Sequence, residues 1–354
     1  MSKVPVGVLG ATGMVGQRFI QSLENHPWFE IDTLTASEES AGKRYEDAAK
    51  WNLYPPMPDS VKDIEVQSTD VESVESAELV FSALPSGIAE EVEPEMAKAG
   101  KMVASNASSY RMDDDVPLMI PEINSDHLNM IETQRENRGW EGAIVTNPNC
   151  TTIILLLSLQ PVMEKVGISK AFVTTMQAIS GAGYSGVKGM EIVDNLIPHI
   201  SKEEWKTENE PLKILGDYED GQIKKADIGI SASCNRIPTL DGHTESAFMK
   251  LEENKTPEEI AKIMDDFESE PQKRGLPTAP DQPIIVKKEK DQPQPRMARH
   301  AGSVPGMSVV VGRLREDPTF DNGIRFTVSG NNAMRGAAGA SVINAELMKD
   351  MDFI

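Results

Sequence analysis

Near its start the chain reads VPVGVLG, then ATGMVG, then QRFIQSL. This is an apolar strand, a turn with Gly10, Gly13 and Gly16 at intervals of three, and a helix with Val15, Phe19, Ile20 and Leu23 on one side. Glycines in such a turn let the backbone bend sharply and approach an anion. The helix behind them offers free N–H groups and its positive dipole end. A second strand, FEIDTLTAS, follows, and then AELVFSALP, GIAEEVEPEMAKAG, KMVASNAS and GAIVTNPN continue the alternation of strand and helix. Consecutive strands separated by helices are parallel and need both faces covered, which leaves an open α/β sheet as the architecture. A turn that binds nothing is the plain alternative for the glycines.

A dinucleotide-binding fold that prefers NAD offers Asp or Glu to the ribose hydroxyls where the second strand ends. Here the end reads TLTASEESAGKR, with Ser37 at that position and Ser40, Lys43 and Arg44 downstream to meet a 2′-phosphate. This favours NADP, although Glu38 or Glu39 could turn inward.

At 354 residues the chain exceeds one ordinary core, and two domains are expected. After Cys150 the rhythm changes. SKAFVTTMQAIS, ADIGISASCNRIP, GHTESAFMKLE, SVVVGRLRED and GIRFTVSG read as strands, and TPEEIAKIMDDFESE as a helix. This is the pattern of an α+β domain on a mostly antiparallel or mixed sheet. VDNLIPHI reads as helical, and PTAPDQPIIVKKEKDQPQPRMARH as an extended surface connection or lid. MRGAAGASVINAELMKDM is a helix opened by Gly and Ala that returns to the first domain. The expected division is 1–149 with 331–354, and 150–330.

A formal net charge of −21 argues against partners that want a basic face, nucleic acid and membrane surfaces among them. No stretch approaches the roughly 20 apolar residues of a membrane span, and MSKVPVGVLG lacks signal-peptide architecture. Two distant cysteines make neither a disulfide framework nor a metal cluster. A reducing cytoplasm is expected, with no metal.

The motif NPNCTT places Cys150 directly ahead of the apolar run IILLLSLQ, which reads as a buried helix. At a helix N-terminus the dipole and unpaired N–H groups stabilise a thiolate and lower its pKa, and the same N–H groups suit an oxyanion. A small residue that happens to be Cys is the competing reading; Cys234, inside a strand, reads as packed. Of five histidines, His243 follows the Asp241–Gly242 turn between strands, a usual place for a presented proton acceptor. His300, beside the Pro-rich connection, is the second candidate. His26 and His127 read as surface or capping residues.

Together GATGMVGQ, SNASSYRMDDDVPLMIPEIN, NPNCTT, TTMQAISGAGYSG, LKILG, CNRIPTLDGHTES and NNAMRGAAGAS resemble the aspartate-β-semialdehyde dehydrogenase family, in its archaeal and fungal branch, over essentially the whole chain. The resemblance implies a Rossmann domain followed by a catalytic and dimerisation domain like that of glyceraldehyde-3-phosphate dehydrogenase. It implies NADP-dependent interconversion of L-aspartyl-4-phosphate and L-aspartate 4-semialdehyde, toward lysine, threonine, methionine and isoleucine, by a homodimer or homotetramer. Cys150 would carry the acyl group as a thioester, His243 would serve as acid and base, and Gln177 would orient the intermediate.

By the same resemblance Arg236 holds the α-carboxylate through a two-point contact. Glu210 meets the amino group, with Glu208 as a competitor, and phosphate meets Arg111, Asn149 and Lys213. Gly10, Thr12, Gly13, Met14 and Val15 line the cofactor loop, Ser37 and Ser40 the adenosine phosphate, and Ser82 and Leu84 the cofactor's crossing. Ser180, Gly181, Gly183, Asn331 and Asn332 approach the nicotinamide. A malonyl-CoA or succinyl-CoA reductase of the same superfamily is the nearest competitor. A cysteine hydrolase would leave the glycine loop unexplained, and a non-catalytic nucleotide sensor would leave Cys150 and His243 so.

Overall fold

The computed structural model describes residues 3–354. Strand β1 (Val4–Leu9), helix α1 (Met14–Leu23) and strand β2 (Phe29–Thr35) open the chain. Strand β3 (Leu79–Ser82), helix α2 (Ser86–Lys98), strand β4 (Met102–Ser105) and strand β5 (Ala143–Thr146) follow. The strands form one parallel sheet ordered β2-β1-β3-β4-β5. β3, β4 and β5 are buried at every position, as strands covered on both faces must be. Between β1 and α1, a Cβ on Gly16 would lie 2.3 Å from the Gly10 carbonyl oxygen, so only glycine lets the helix start close against the turn.

Helix α3 (Cys150–Lys165) leaves the first sheet and enters the second core. Its run Thr151–Leu159 is buried on all sides, which explains why it shows no polar face. Then come strand β6 (Ile168–Gln177), helix α4 (Glu203–Ile214), strands β7 (Gly229–Arg236) and β8 (His243–Leu251), and helix α5 (Pro257–Asp265). Strands β9 (Ile284–Val286), β10 (Val309–Asp317) and β11 (Gly323–Gly330) complete a mixed sheet ordered β9-β10-β11-β8-β6-β7. Its β6–β7 and β9–β10 pairs are parallel and the others antiparallel.

Two sequence expectations differ. The Pro-rich segment is not merely a connection, because its IIV supplies β9 at the sheet edge. The span expected as a helix at VDNLIPHI runs without helical structure beyond Ile192, and His199 is exposed in it. Asp194 at positive φ and Pro198 interrupt the pattern.

After β11 a π-turn (Met334–Ala338) leads into helix α6 (Gly339–Asp350). Val342, Ile343, Leu347 and Met348 of α6 share one apolar core with Val6, Val8, Phe81 and Val145 of the first sheet. Burying such side chains contributes about 1.5–3 kcal/mol each, so the returning helix is firmly seated. Beneath the π-turn, Arg335 pairs with Glu122 at 2.6 Å with both side chains fully buried.

Candidate active site

Cys150 is the first residue of α3 and half-buried. Its Sγ lies 3.2 Å from Nε2 of His243, the first residue of β8, whose side chain is fully buried. The sheet explains the meeting. β6 lies between β7 and β8, with Gln177 in register beside Arg236 and Met176 beside Thr244. Gln177, Arg236 and His243 therefore stand on adjacent strands at one edge, facing the start of α3. Behind the sulfur passes the π-turn: a Cβ on Gly336 would lie 2.5 Å from Cys150 Cβ. Only glycine permits that approach, and this residue was missed in the quoted motif NNAMRGAAGAS.

The backbone around His243 is equally constrained. Its Nδ1 accepts a hydrogen bond from the Ala178 N–H at 3.1 Å. Arg236 donates from Nη1 to the Ala178 carbonyl at 2.7 Å. Gly181 passes close over the Arg236 guanidinium and the His243 ring. Gln177, buried, donates to Thr175 Oγ1 at 3.3 Å. Asn332 ties the site's two sides, donating to Ser180 Oγ at 2.9 Å and accepting from the Gly242 N–H at 2.8 Å.

Burial pushes the Cys150 thiol up to about 12, helped by Glu203, while Arg236, Lys206 and Arg111 oppose the rise. Burial, with Arg236 beside it, holds His243 down to about 3. This corrects the expectation of a helix-lowered thiol: at rest both groups are neutral. Two of the helix N–H groups, those of Thr151 and Thr152, are also not free for an oxyanion. Asn149 caps α3, its Oδ1 accepting from the Thr151 N–H at 2.9 Å and the Thr152 N–H at 3.4 Å, and its Nδ2 donates to Glu203 at 2.9 Å. Glu203 was not foreseen; its signal in the sequence is the acidic pair opening KEEWKTENE.

The expected phosphate set is partly dispersed. Asn149 spends its side chain on the cap and on Glu203. Lys213 donates to the carbonyls of Arg111, Asp113 and Val116 at 2.9, 2.6 and 2.7 Å, which accounts for all three of its N–H donors. Both side chains are thus engaged with protein groups in the structure. Arg111 and Glu210, expected at different ends of a substrate, hold each other at 2.9 Å. Glu210 also accepts the Asn149 N–H at 2.7 Å, and Arg111 Nε is buried without a partner. Glu208, the competitor, accepts the Ala232 N–H on β7 instead.

At the glycine loop, α1 begins after Gly13 with no side-chain cap and no acidic residue in its first turn, which suits a pyrophosphate. Gly10, Thr12, Met14 and Val15 border this turn, and the Thr12 carbonyl accepts from Gln17 Nε2 at 2.9 Å. Tyr184, next to Gly183, donates to Gln17 Oε1 at 2.7 Å and links the 178–184 segment to α1. β2 ends at Thr35, so Ser37 lies just beyond it, with Ser40 closing a turn onto the Ser37 carbonyl. Glu38 and Glu39 are exposed. Lys43 and Arg44 are engaged, Lys43 with the Glu39 carbonyl and Arg44 with Asp63 and Glu46. Ser82 and Leu84 are buried at the end of β3. Asn331 is spent on structure: it accepts from the Ala333 and Met334 N–H groups and donates to the Arg299 carbonyl.

His26 and His127 are buried rather than on the surface, paired with Glu346 and with Asn124 and the Gly216 carbonyl. His300 is exposed and in contact with Arg299, which leaves His243 as the partner of the thiol. A cleft of about 670 Å³, lined by Lys262, Lys287 and Arg315 among others, shares no residue with this site. Among the described residues no helix is long and apolar enough to cross a membrane.

Residues 5–131 match the family model described as semialdehyde dehydrogenase, NAD binding domain, and residues 159–335 that described as semialdehyde dehydrogenase, dimerisation domain. The aspartate-semialdehyde dehydrogenase of Methanothermobacter thermautotrophicus is 52% identical over 98% of this chain and 99% of its own. A malonyl CoA reductase (NADP) of Metallosphaera sedula is 38% identical over 98% and 97%. The crystal structure of aspartate semialdehyde dehydrogenase with NADP from Candida albicans superposes with a TM-score of 0.91 at 40% identity, covering all of both chains. With likeness of this extent in sequence and fold, the chain belongs to the semialdehyde dehydrogenase family.

Proposed function

We propose that the chain catalyses the reversible, NADP-dependent reductive dephosphorylation of L-aspartyl-4-phosphate to L-aspartate 4-semialdehyde, in amino-acid biosynthesis leading to lysine, threonine, methionine and isoleucine. The observation that carries this reading is the Cys150–His243 contact at 3.2 Å, beside Arg236 and under Gly181. Cys150, as thiolate, attacks the acyl phosphate and forms a thioester as phosphate leaves. A thioester accepts hydride because sulfur donates electron density poorly to the carbonyl, which is why Cys rather than Ser stands here. NADPH, held at the uncapped start of α1 with Ser37 and Ser40 toward its 2′-phosphate, supplies that hydride. Arg236 holds the α-carboxylate, Gln177 steadies the acyl group, and the Arg111–Glu210 pair opens to receive phosphate and amino group.

In this reading residues 1–149 and 331–354 carry the cofactor, and 150–330 carry the substrate and join copies into a homodimer or homotetramer in the cytoplasm. The test is a coupled assay with NADP, phosphate and aspartate semialdehyde, run beside malonyl-CoA with NADPH and repeated with NAD. Phosphate-dependent turnover of the semialdehyde supports the reading. Turnover of malonyl-CoA alone would assign the chain to the reductases instead.

A further inference from the structure

Helix α2 carries a proline in its interior, Pro94, four residues after Glu90. Proline has no N–H, so the Glu90 carbonyl loses the donor that a regular helix would supply. The Tyr110 hydroxyl donates to that carbonyl at 2.6 Å. Tyr110 lies in the loop that follows β4, half-buried, and the next residue is Arg111. Arg111 in turn holds Glu210 from Nη1 at 2.9 Å. A break in one helix is therefore bonded to the residue beside an arginine of the site.

The same side of α2 holds the rest of the loop. Ser86, Glu90 and Glu93 stand at i, i+4 and i+7, the spacing of one helix face. Ser86 Oγ lies 2.9 Å from Ser108 Oγ, and the Ser86 carbonyl accepts from Ser109 Oγ at 2.8 Å. Glu93, fully buried, accepts from Ser105 Oγ at 2.7 Å. Ser105 Oγ itself accepts from the Ala107 N–H at 3.1 Å. Away from α2, the Arg138 guanidinium lies 5.6 Å from the centre of the Tyr110 ring, a cation–π distance, while pairing with Asp113 and Asp115. Arg111 Nη2 closes the loop on itself, donating to the Asn106 carbonyl at 2.9 Å. Tyr110 is thus fixed at its ring and at its hydroxyl, one residue before the arginine.

We infer that Tyr110 is a positioning residue: its hydroxyl, bonded to the Glu90 carbonyl that Pro94 leaves without a helix donor, sets where Arg111 stands to receive phosphate. This rests on the proposed reading of Arg111 as a phosphate contact. A guanidinium binds an anion through a planar fork, so its use depends on orientation as well as on charge. The backbone on which Arg111 stands is held by α2, and Tyr110 is the anchor nearest to it in the chain. Cys150 starts α3, and the glycine turn joins β1 to α1, so neither depends on this anchor. Loss of the hydroxyl should therefore fall on phosphate and spare the thiol and the cofactor.

Tyr110→Phe removes the hydroxyl and keeps the ring beside Arg138. Initial rates with aspartate semialdehyde, NADP and varied phosphate are expected to show a Michaelis constant for phosphate raised about fivefold, the loss of one hydrogen bond. The constant for NADP and the rate of Cys150 alkylation by iodoacetamide are expected to stay unchanged, whereas a general loosening of the fold would move all three. The second arm is urea unfolding of Tyr110→Phe, Pro94→Ala and the double variant. Pro94→Ala returns an N–H to the helix, so the Glu90 carbonyl no longer depends on the tyrosine. Tyr110→Phe is expected to lower the folding constant about fivefold in the unaltered chain and by under about twofold in Pro94→Ala. Additive effects in that cycle, or an unchanged phosphate constant in Tyr110→Phe, overturn the inference. Turnover without any need for phosphate in the unaltered protein would sink the reading of Arg111 instead, and the unfolding cycle would still decide whether the hydroxyl serves the carbonyl that the proline frees.

Discussion

At the scale of single residues, the site separates groups that are available to a reactant from groups already spent. Cys150 and Arg236 are the first kind, whereas Lys213, with three carbonyls on its ammonium, is the second. Cys150→Ala is predicted to lower turnover by about 10⁴-fold or more while NADP binding, followed by fluorescence, survives. Arg236→Lys replaces a planar fork with a point charge. It is predicted to raise the Michaelis constant for the semialdehyde about tenfold or more, the loss of one charge-assisted bond. An unchanged constant would mean that another group holds the carboxylate. The pairing of Cys150 with His243 was legible in the sequence because each partner sits at a punctuation mark, Cys150 at a helix start and His243 after Asp241–Gly242. The thiol's resting state was not. It depends on Glu203 and on burial by segments distant in sequence, which no local pattern encodes.

At the scale of elements, α3 and the π-turn bearing Gly336 together fix the sulfur. The buried Arg335–Glu122 pair anchors that turn from below, and breaking such a pair costs about 3–5 kcal/mol. Gly336→Ala is predicted to destabilise the protein by about 1–3 kcal/mol in urea unfolding, because the added methyl overlaps Cys150. It is also predicted to slow Cys150 alkylation; an unaltered rate would show that the turn does not position the thiol. The elements of the first sheet were readable because parallel strands buried on both faces are short apolar runs between helices. VDNLIPHI misled because its apolar spacing is helical while Asp194 and Pro198 are not. β9 was hidden in the Pro-rich segment because three residues of edge strand leave no periodicity to read.

At the scale of the whole molecule, two sheets meet through α3 and the returning α6, and this brings the glycine turn, the thiol and the arginine toward one place. His243 couples that assembly to pH. Its folded value near 3 lies below the ordinary 6.5, so the unfolded chain binds the extra proton first. Its contribution to stability is therefore present above about pH 6.5 and is lost as pH falls toward 3, at most about 1.4 kcal/mol per pH unit. His243→Gln is predicted to flatten the acid side of the unfolding profile, and an unchanged slope would place the acid sensitivity elsewhere. The two-sheet architecture was legible from the change of rhythm at Cys150. What the sequence did not disclose was the bonding across it, Tyr184 to Gln17 and Asn332 to Ser180 and Gly242. Such contacts join residues of ordinary type far apart in the chain.

The central claim is that Cys150 carries the reactant covalently. Mass spectrometry of protein mixed with L-aspartyl-4-phosphate, quenched in acid without NADPH, tests it most directly. An aspartyl adduct on the peptide holding Cys150, discharged when NADPH is added before quenching, is the predicted result. Under the same conditions, an unmodified Cys150 peptide, or the adduct on any other residue, would contradict the claim.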